Sequence, residues 1–176
     1  MKQENVKNEV VEKRYPLAEA QAIALKVLEQ LKPYCIRAEI AGSIRRQKSE
    51  VKDIEIVAIP KPYSVGLLED GIASVVNKWK KIKGELPCKY TQRVLPEGIK
   101  LDLFFAEEGN WGSVLAIRTG SADYSHYVLA NGWVRNGFNS SGGYLYRNGE
   151  KYELREEAEL FRLIGMSYVE PEDRNL

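Results

Sequence analysis

The chain has 176 residues, of which 44% are hydrophobic and 29% charged, values typical of a soluble globular protein with one domain or two small ones. No apolar run approaches the ~20 residues that cross a bilayer and no secretory signal opens the chain, so we expect a cytoplasmic protein without a membrane partner. The net charge of +1 argues against an extended nucleic-acid grip, and Cys35 and Cys88 form neither a metal motif nor a disulfide framework.

Periodicity in the first hundred residues predicts helices that flank a sheet. Residues 1–12 show no period and are expected to form a flexible lead-in. Pro16 suits the first position of a helix, and Pro96-Glu97-Gly98 suits the turn of a hairpin. The predicted elements are, in chain order, a helix from Pro16 to near Pro33, strands Ile36–Ala41 and Asp53–Ile59, a helix over 67–79, and hairpin strands Cys88–Leu95 and Ile99–Phe105.

The chain changes character near residues 106–110, where we place the boundary between a first unit, residues 13–106, and a second unit, residues 107–176. Gly165 is suited to end a helix, because glycine adopts the left-handed conformation common after helix ends. The predicted elements of the second unit are helices Trp111–Arg118, Ala122–Arg135 and Glu156–Ile164, and a hairpin turning at Asn148-Gly149. The predicted fold class is therefore α+β, with a mixed sheet flanked by helices and a small α+β C-terminal subdomain.

Three carboxylates lie on two of the predicted apolar strands. Side chains alternate along a strand, so Asp53 and Glu55 share one face. Asp102, within the apolar segment Lys100–Phe104, can join them if the two strands are neighbours. Converging carboxylates repel each other, and a divalent cation such as Mg²⁺, which prefers oxygen ligands, removes that cost. Two such ions about 3.5–4 Å apart can clamp the attacking and leaving oxygens of a phosphoryl transfer, so the pattern predicts a metal-dependent nucleotidyl-transfer site.

A glycine-serine turn strengthens this interpretation. Alternating apolar residues lead into Gly42-Ser43, and Arg45 and Arg46 follow at once. Gly-Ser pairs and Asp-x-Glu triplets are common, and each alone more often marks a turn or a solvated strand face. Their order here, with basic residues beside an acidic strand face, favours the catalytic interpretation.

The segment Ala41–Arg46 followed by Asp53-Ile54-Glu55 resembles the nucleotidyltransferase superfamily and, within it, the family X DNA polymerases. The likeness continues in family order at Lys13–Pro16, at Thr119-Gly120-Ser121 and in the closing segment Leu163–Arg174. It implies a nucleotidyltransferase-fold palm in the first unit and the polymerase thumb or fingers in the second. Nothing resembles the family's amino-terminal helix-hairpin-helix domain, so the chain is similar to the minimal palm-plus-thumb form of the small viral members.

The resemblance also implies roles for individual residues. Asp53 and Glu55 would hold two Mg²⁺ ions, for which Mn²⁺ can substitute. Asp102 would bind the ion that activates the 3′-hydroxyl and is a candidate to accept its proton. The nucleotide-binding set is Arg14, Gly42, Ser43, Arg46, Thr119, Gly120 and Ser121. The DNA-binding set, which includes basic residues of the second unit, is Arg118, His126, Arg135, Arg147 and Lys151.

Five positions depart from the family pattern. Ile117-Arg118 replaces an aromatic pair that helps to exclude ribonucleotides, so poor sugar discrimination is expected. Ser125 replaces an asparagine that contacts the nucleotide, and Leu129 replaces an arginine near the template strand. Glu55 replaces an aspartate, but its longer carboxylate can still bridge metal ions.

The expected activity is the addition of dNMP from dNTP to the 3′-hydroxyl of a primer–template, nick or gap, by a monomer that acts in gap filling or DNA repair. Two alternatives stay open: a nucleotidyltransferase acting on a small molecule or a protein, and a weakly catalytic DNA-end-binding protein. The lysine cluster formed by Lys78, Lys80, Lys81 and Lys83 is either part of a basic track or a solvated helix end.

Overall fold

The computed structural model describes residues 12–62 and 71–176. The expected lead-in, except Glu12, and the first part of the helix predicted over 67–79 lie outside these ranges. The α-helices are α1 Leu17–Leu31, α2 Gly42–Arg45, α3 Ile72–Val76, α4 Trp111–Thr119, α5 Asn131–Arg135 and α6 Glu157–Leu163. The strands are β1 Tyr15–Pro16, β2 Cys35–Ile40, β3 Glu50–Val51, β4 Asp53–Pro60, β5 Lys80–Lys83, β6 Tyr90–Val94, β7 Lys100–Phe105, β8 Asn139–Ser141, β9 Tyr144–Arg147 and β10 Glu150–Tyr152.

A five-stranded sheet organises the first unit in the order β2-β4-β7-β6-β5. Strands β4 and β7 run parallel, and every other neighbouring pair in this sheet is antiparallel. Helix α1 buries its apolar stripe, which recurs at helical spacing from Ala20 to Leu31, in the core beside this sheet. The mixed sheet flanked by helices confirms the predicted α+β class.

A smaller three-stranded sheet, in the order β10-β9-β8, belongs to the second unit. Asn148 and Gly149 have φ angles of 54° and 77°, so the predicted hairpin turn is confirmed. Gly165, with φ of 74°, ends α6 as expected. The helix predicted over Ala122–Arg135 is present, but it has π-helical geometry over Tyr124–Ala130 before it continues as α5.

Each unit has its own apolar core, and a third cluster joins them. Val57, Ile59 and Phe104 of the large sheet pack in one buried cluster with Trp111 and Leu115 of α4. The boundary near residues 106–110 is therefore spanned by apolar packing, which holds the second unit against the sheet that carries the carboxylates.

The alternative of a helix end for the lysine cluster is wrong for three of its four members. Lys80, Lys81 and Lys83 lie on β5, the edge strand of the large sheet, where every residue is exposed. Lysine is common on edge strands because its charge and length hinder pairing with another chain. Only pairing with β6, a tertiary contact, distinguishes this lysine-rich strand from a helix terminus.

Candidate active site

The three carboxylates occupy neighbouring strands, as the predicted site requires. In the parallel register of β4 and β7, Glu55 stands directly opposite Asp102, and Asp53 lies two residues earlier on β4. Alternation buries Ile54 and Ile56 on the other face, toward the core. The apolar face therefore anchors the strand and directs the acidic face outward.

Asp102 is held by the adjacent strand β6, where Gln92 is its register partner. Its Oδ1 accepts hydrogen bonds from the Tyr90 hydroxyl at 2.6 Å and from the Gln92 side-chain amide at 2.8 Å. Burial and the hydrogen bond to Asp102 raise the pKa of Tyr90, so its hydroxyl stays a donor. Both donors address Oδ1, which fixes the carboxylate in one orientation.

Burial and repulsion between carboxylates raise the pKa values of Glu55 and Asp53. Burial, followed by the charges of Asp53 and Asp102, raises the pKa of Glu55 to about 7, although Arg46 and Arg118 act in the opposite direction. Burial and the charge of Asp102 likewise raise the pKa of Asp53 above its ordinary value. The cluster is thus a site of concentrated negative charge.

Gly42 is required by its contact with Glu55. The residue has φ of +61°, and a Cβ at this position would lie 1.6 Å from Glu55 Oε2. The following Ser43 lies in the single turn of α2, and the backbone N–H of Ala41 donates to the carbonyl of Glu55 at 2.8 Å. The Gly-Ser turn is therefore built directly onto the acidic strand.

Two arginines after this turn bind the second unit. Arg45 donates from Nη1 to Thr119 Oγ1 at 2.7 Å and forms two 2.8 Å hydrogen bonds with the Glu157 carboxylate. Arg46 donates from Nη1 to the Thr119 carbonyl at 2.7 Å and from Nε to Asn175 Oδ1 at 3.0 Å. Arg46, the predicted phosphate contact, is thus engaged by protein acceptors, and burial lowers its pKa.

The Thr119-Gly120-Ser121 turn is also held from the closing segment of the chain. The Ser121 N–H donates to the Arg174 carbonyl at 3.0 Å, and the Leu176 N–H donates to Ser121 Oγ at 3.2 Å. The nucleotide-binding set therefore comes together from both units, except Arg14, which lies exposed before β1.

Sequence reasoning missed the residues that join these parts. Glu157, Arg174 and Asn175 connect the Gly-Ser turn, the Thr-Gly-Ser turn and the closing segment. The one available signal was the presence of Arg174 in the segment that carries the family resemblance. Nothing local in the sequence pairs Glu157 with Arg45, which lies 112 residues away.

Two of the five predicted DNA-binding residues line a common cleft. Arg118 stacks over the Phe104 ring at 4.1 Å and Lys151 over the Tyr144 ring at 3.8 Å, and all four line a cleft of about 660 Å³ between the two units. The remaining three lie elsewhere: Arg147 stacks over Phe138, and His126 and Arg135 are exposed on the second unit.

The expected Mg²⁺ ions require oxygen ligands that converge on one point. Across residues 12–62 and 71–176, no three or more His, Cys, Asp or Glu side chains are already arranged to hold one ion. The donor set nevertheless consists of oxygens, which suit Mg²⁺. Burial and, after it, repulsion between the carboxylates raise the pKa values of Glu55 and Asp53, and a divalent cation would relieve the repulsion. The three carboxylates are therefore chemically suitable ligands for Mg²⁺, and their side chains would have to move closer together to coordinate one ion.

Comparison with known proteins gives one family match. Residues 115–175, about a third of the chain, match the sequence model of the DNA polymerase beta thumb. No match was found among curated proteins. None of the helices in the described ranges has the length and apolarity needed to cross a membrane. The matched range contains the Thr-Gly-Ser turn, the three-stranded sheet, Glu157 and Arg174, and the match is consistent with the resemblance to family X polymerases.

Proposed function

We propose that the chain is a Mg²⁺-dependent DNA polymerase that adds dNMP from dNTP to a DNA 3′-hydroxyl and releases pyrophosphate. The observation that carries this proposal is the parallel register of β4 and β7. It sets Glu55 opposite Asp102, with Asp53 on the same strand face, directly beside the turn that binds the thumb. A gap or nick in DNA is the proposed substrate, and gap filling or repair the proposed role.

Asp53, Glu55 and Asp102 would hold the ions. Bound Mg²⁺ would supply Lewis-acid stabilisation of the charge that develops on phosphoryl oxygens. The chain's own residues supply positioning. Tyr90 and Gln92 fix Asp102 through Oδ1, so that Oδ2 is available to the ion or to the proton of the 3′-hydroxyl.

The Gly-Ser turn and the Thr-Gly-Ser turn would hold the nucleotide between them. Arg46 lies at their junction, where a guanidinium suits phosphate oxygens. Its present acceptors, the Thr119 carbonyl and Asn175 Oδ1, would have to be exchanged for phosphate oxygens when a triphosphate binds. This exchange would couple nucleotide binding to the contact between the two units.

The cleft between the units supports a nucleic-acid substrate. It combines Arg118, Lys89 and Lys151 with the rings of Tyr144 and Tyr146. Cations that meet phosphates and rings that stack on bases are the usual elements of a single-strand binding groove. The thumb match points the same way and counts against a small-molecule or protein acceptor.

Extension of a labelled primer tests the proposal. The full chain is incubated with dNTPs and primer, with and without template, in Mg²⁺, in Mn²⁺ and in EDTA. Asp102→Asn, which keeps an acceptor at Oδ1, is the inactive control, and Glu108→Gln is a matched acidic change outside the site. We expect metal-dependent extension by the unmodified and Glu108→Gln proteins only.

Two outcomes would contradict the proposal. DNA binding without extension in either metal would favour the weakly catalytic end-binding protein. Extension that Asp102→Asn leaves unchanged would show that these carboxylates are not the catalytic centre.

A further inference from the structure

The two buried arginines of the described chain have different partners. Arg174 is fully buried and donates from Nη1 to the Glu157 carboxylate at 2.5 Å. Arg93 is 3% exposed, yet its hydrogen bonds go to the Thr91 hydroxyl at 3.0 Å, the Trp79 carbonyl at 3.4 Å and the Gly84 carbonyl at 3.3 Å. Carbonyl oxygens solvate a guanidinium but carry no negative charge, and burial of its positive charge is costly. The carboxylate whose charge interacts with Arg93 is Glu85, which is exposed and already paired with Lys81.

Arg93 lies on the side of the sheet away from the carboxylates. On β6, Gln92 points to Asp102, so alternation directs Arg93 and Thr91 to the opposite face. Trp79, whose carbonyl accepts a hydrogen bond from Arg93, belongs together with Val76 to the core on that side. The environment of Arg93 is therefore separate from the proposed polymerase site.

A basic cleft of about 480 Å³ opens at Arg93. Its lining includes Lys78, Lys80 and Lys81 as well as the Asn77 amide. Glu85, the one carboxylate of the lining, forms an ion pair with Lys81. The lining of the cleft thus contains four cationic side chains and one carboxylate, which is already paired. Arg93 is the buried member of the four.

We propose that this cleft is a phosphate-binding site. A guanidinium offers phosphate oxygens a planar pair of donors, and surrounding ammonium groups add charge without a fixed geometry. The ligand is a phosphate group, borne either by a DNA strand or by a free phosphate or nucleotide. The proposal does not depend on polymerase activity, because the cleft and the carboxylates lie on opposite faces of the sheet.

Amide chemical shifts in the ¹⁵N-labelled full chain test the site. The protein is titrated at constant ionic strength with inorganic phosphate, and separately with a short DNA duplex. The double variant Lys78→Ser/Lys80→Ser removes two rim charges while keeping Arg93 and the core. Lys26→Ser/Lys32→Ser removes two exposed charges from the region of α1 and is the matched control.

We expect saturable shifts at residues 78–81 and at Arg93 with phosphate, about tenfold weaker binding in Lys78→Ser/Lys80→Ser, and unchanged binding in the control. Shifts of the same amides at lower DNA than phosphate concentration identify DNA as the source. Shifts there with phosphate alone identify a free phosphate or nucleotide. Equal weakening in both double variants, or shifts spread over all exposed lysines, would show an adventitious ion only and overturn the proposal.

Discussion

Glu55 and Glu157 are two sequestered glutamates whose surroundings have opposite electrostatic effects. Glu55 has Asp53 and Asp102 as neighbours, and its pKa is raised to about 7 by burial and by their charges. Glu157 is 6% exposed and receives hydrogen bonds from Arg45 and Arg174. Burial acts to raise its pKa, but the two arginines outweigh that effect, and the pKa lies below its ordinary value.

The opposite pKa shifts distinguish the carboxylate of Glu157, which has a structural role, from that of Glu55, for which we propose a functional role. Around Glu157, cations from both units compensate the buried charge, so the carboxylate joins the Gly-Ser turn to the closing segment. Around Glu55, the described residues concentrate like charges instead, a cost that folding alone would not favour. We therefore interpret the surroundings of Glu157 as a structural contact between the two units. We interpret the surroundings of Glu55 as a site for an external cation. Arg93 is the corresponding case for an external anion.

The largest expected effect is on catalysis. If the chain has the proposed function, Asp102→Asn should reduce nucleotide addition by several orders of magnitude, because it removes one of the charges proposed to hold the metal ions. Folding should be preserved or improved, since the change relieves repulsion of Glu55 and Asp53. Single-turnover extension in Mg²⁺ measures the first effect and urea unfolding in EDTA the second. Near-normal extension would remove Asp102 from the catalytic set.

Removal of the Glu157 charge should lower the free energy of unfolding more than removal of the neighbouring Glu156 charge. Glu157→Gln leaves the buried Arg174 and the partly buried Arg45 without their carboxylate, and we expect a loss of about 3 kcal/mol in the free energy of unfolding. The adjacent Glu156→Gln removes the charge of an exposed pair with Arg37 but keeps a side-chain oxygen for the capping box at the start of α6, so it should cost less than about 1 kcal/mol. Equal losses in urea unfolding would contradict the distinction between the two sites.

Stability of the metal-free protein should fall as pH rises from about 4.5 to 7, the interval bounded by the ordinary and the raised pKa of Glu55. In that interval the native carboxyl keeps a proton that the unfolded chain has lost, so the native state binds more protons. The contribution is on the order of 3 kcal/mol, since one pKa unit corresponds to about 1.4 kcal/mol.

Glu55→Gln should abolish this decline, whereas Glu157→Gln should not. The lowered pKa of Glu157 has the opposite sign: its stabilising effect is present above the ordinary pKa and is lost as pH falls through the lowered one. Urea unfolding across pH 4–8 in EDTA measures both. A decline that persists unchanged in Glu55→Gln would show that another group causes it.

The smallest expected effect concerns the sugar of the incoming nucleotide. Arg118 contributes positive charge near Glu55, but its exposed side chain stacks on Phe104 and cannot block a ribose as a packed aromatic ring would. We expect measurable ribonucleotide insertion, and on the order of tenfold less in Arg118→Phe. Matched dNTP and rNTP insertion kinetics measure it, with Arg162→Phe, an exposed position on α6, as control. Strong rejection of rNTP by the unmodified protein would show that another group guards the sugar.

Sequence periodicity alone determined much of the framework. Prolines bound α1, Asn148-Gly149 marks the hairpin turn, and alternation places Asp53 and Glu55 on one strand face. These features follow from the backbone preferences of a few adjacent residues, so a short window of sequence contains the information. The same local logic identified Gly42-Ser43 as a turn at the end of a strand, whereas the Thr-Gly-Ser turn was identified through the family resemblance.

Only the tertiary structure decided which charges are compensated. The partners of Arg45, Arg46 and Arg174 lie up to 129 residues away, and their pairing depends on how the two units pack. The burial of Arg93 and the strand state of Lys80–Lys83 likewise depend on β5 pairing with β6. Charge compensation is a property of distance in space, and packing of the whole chain, rather than local propensity, sets those distances.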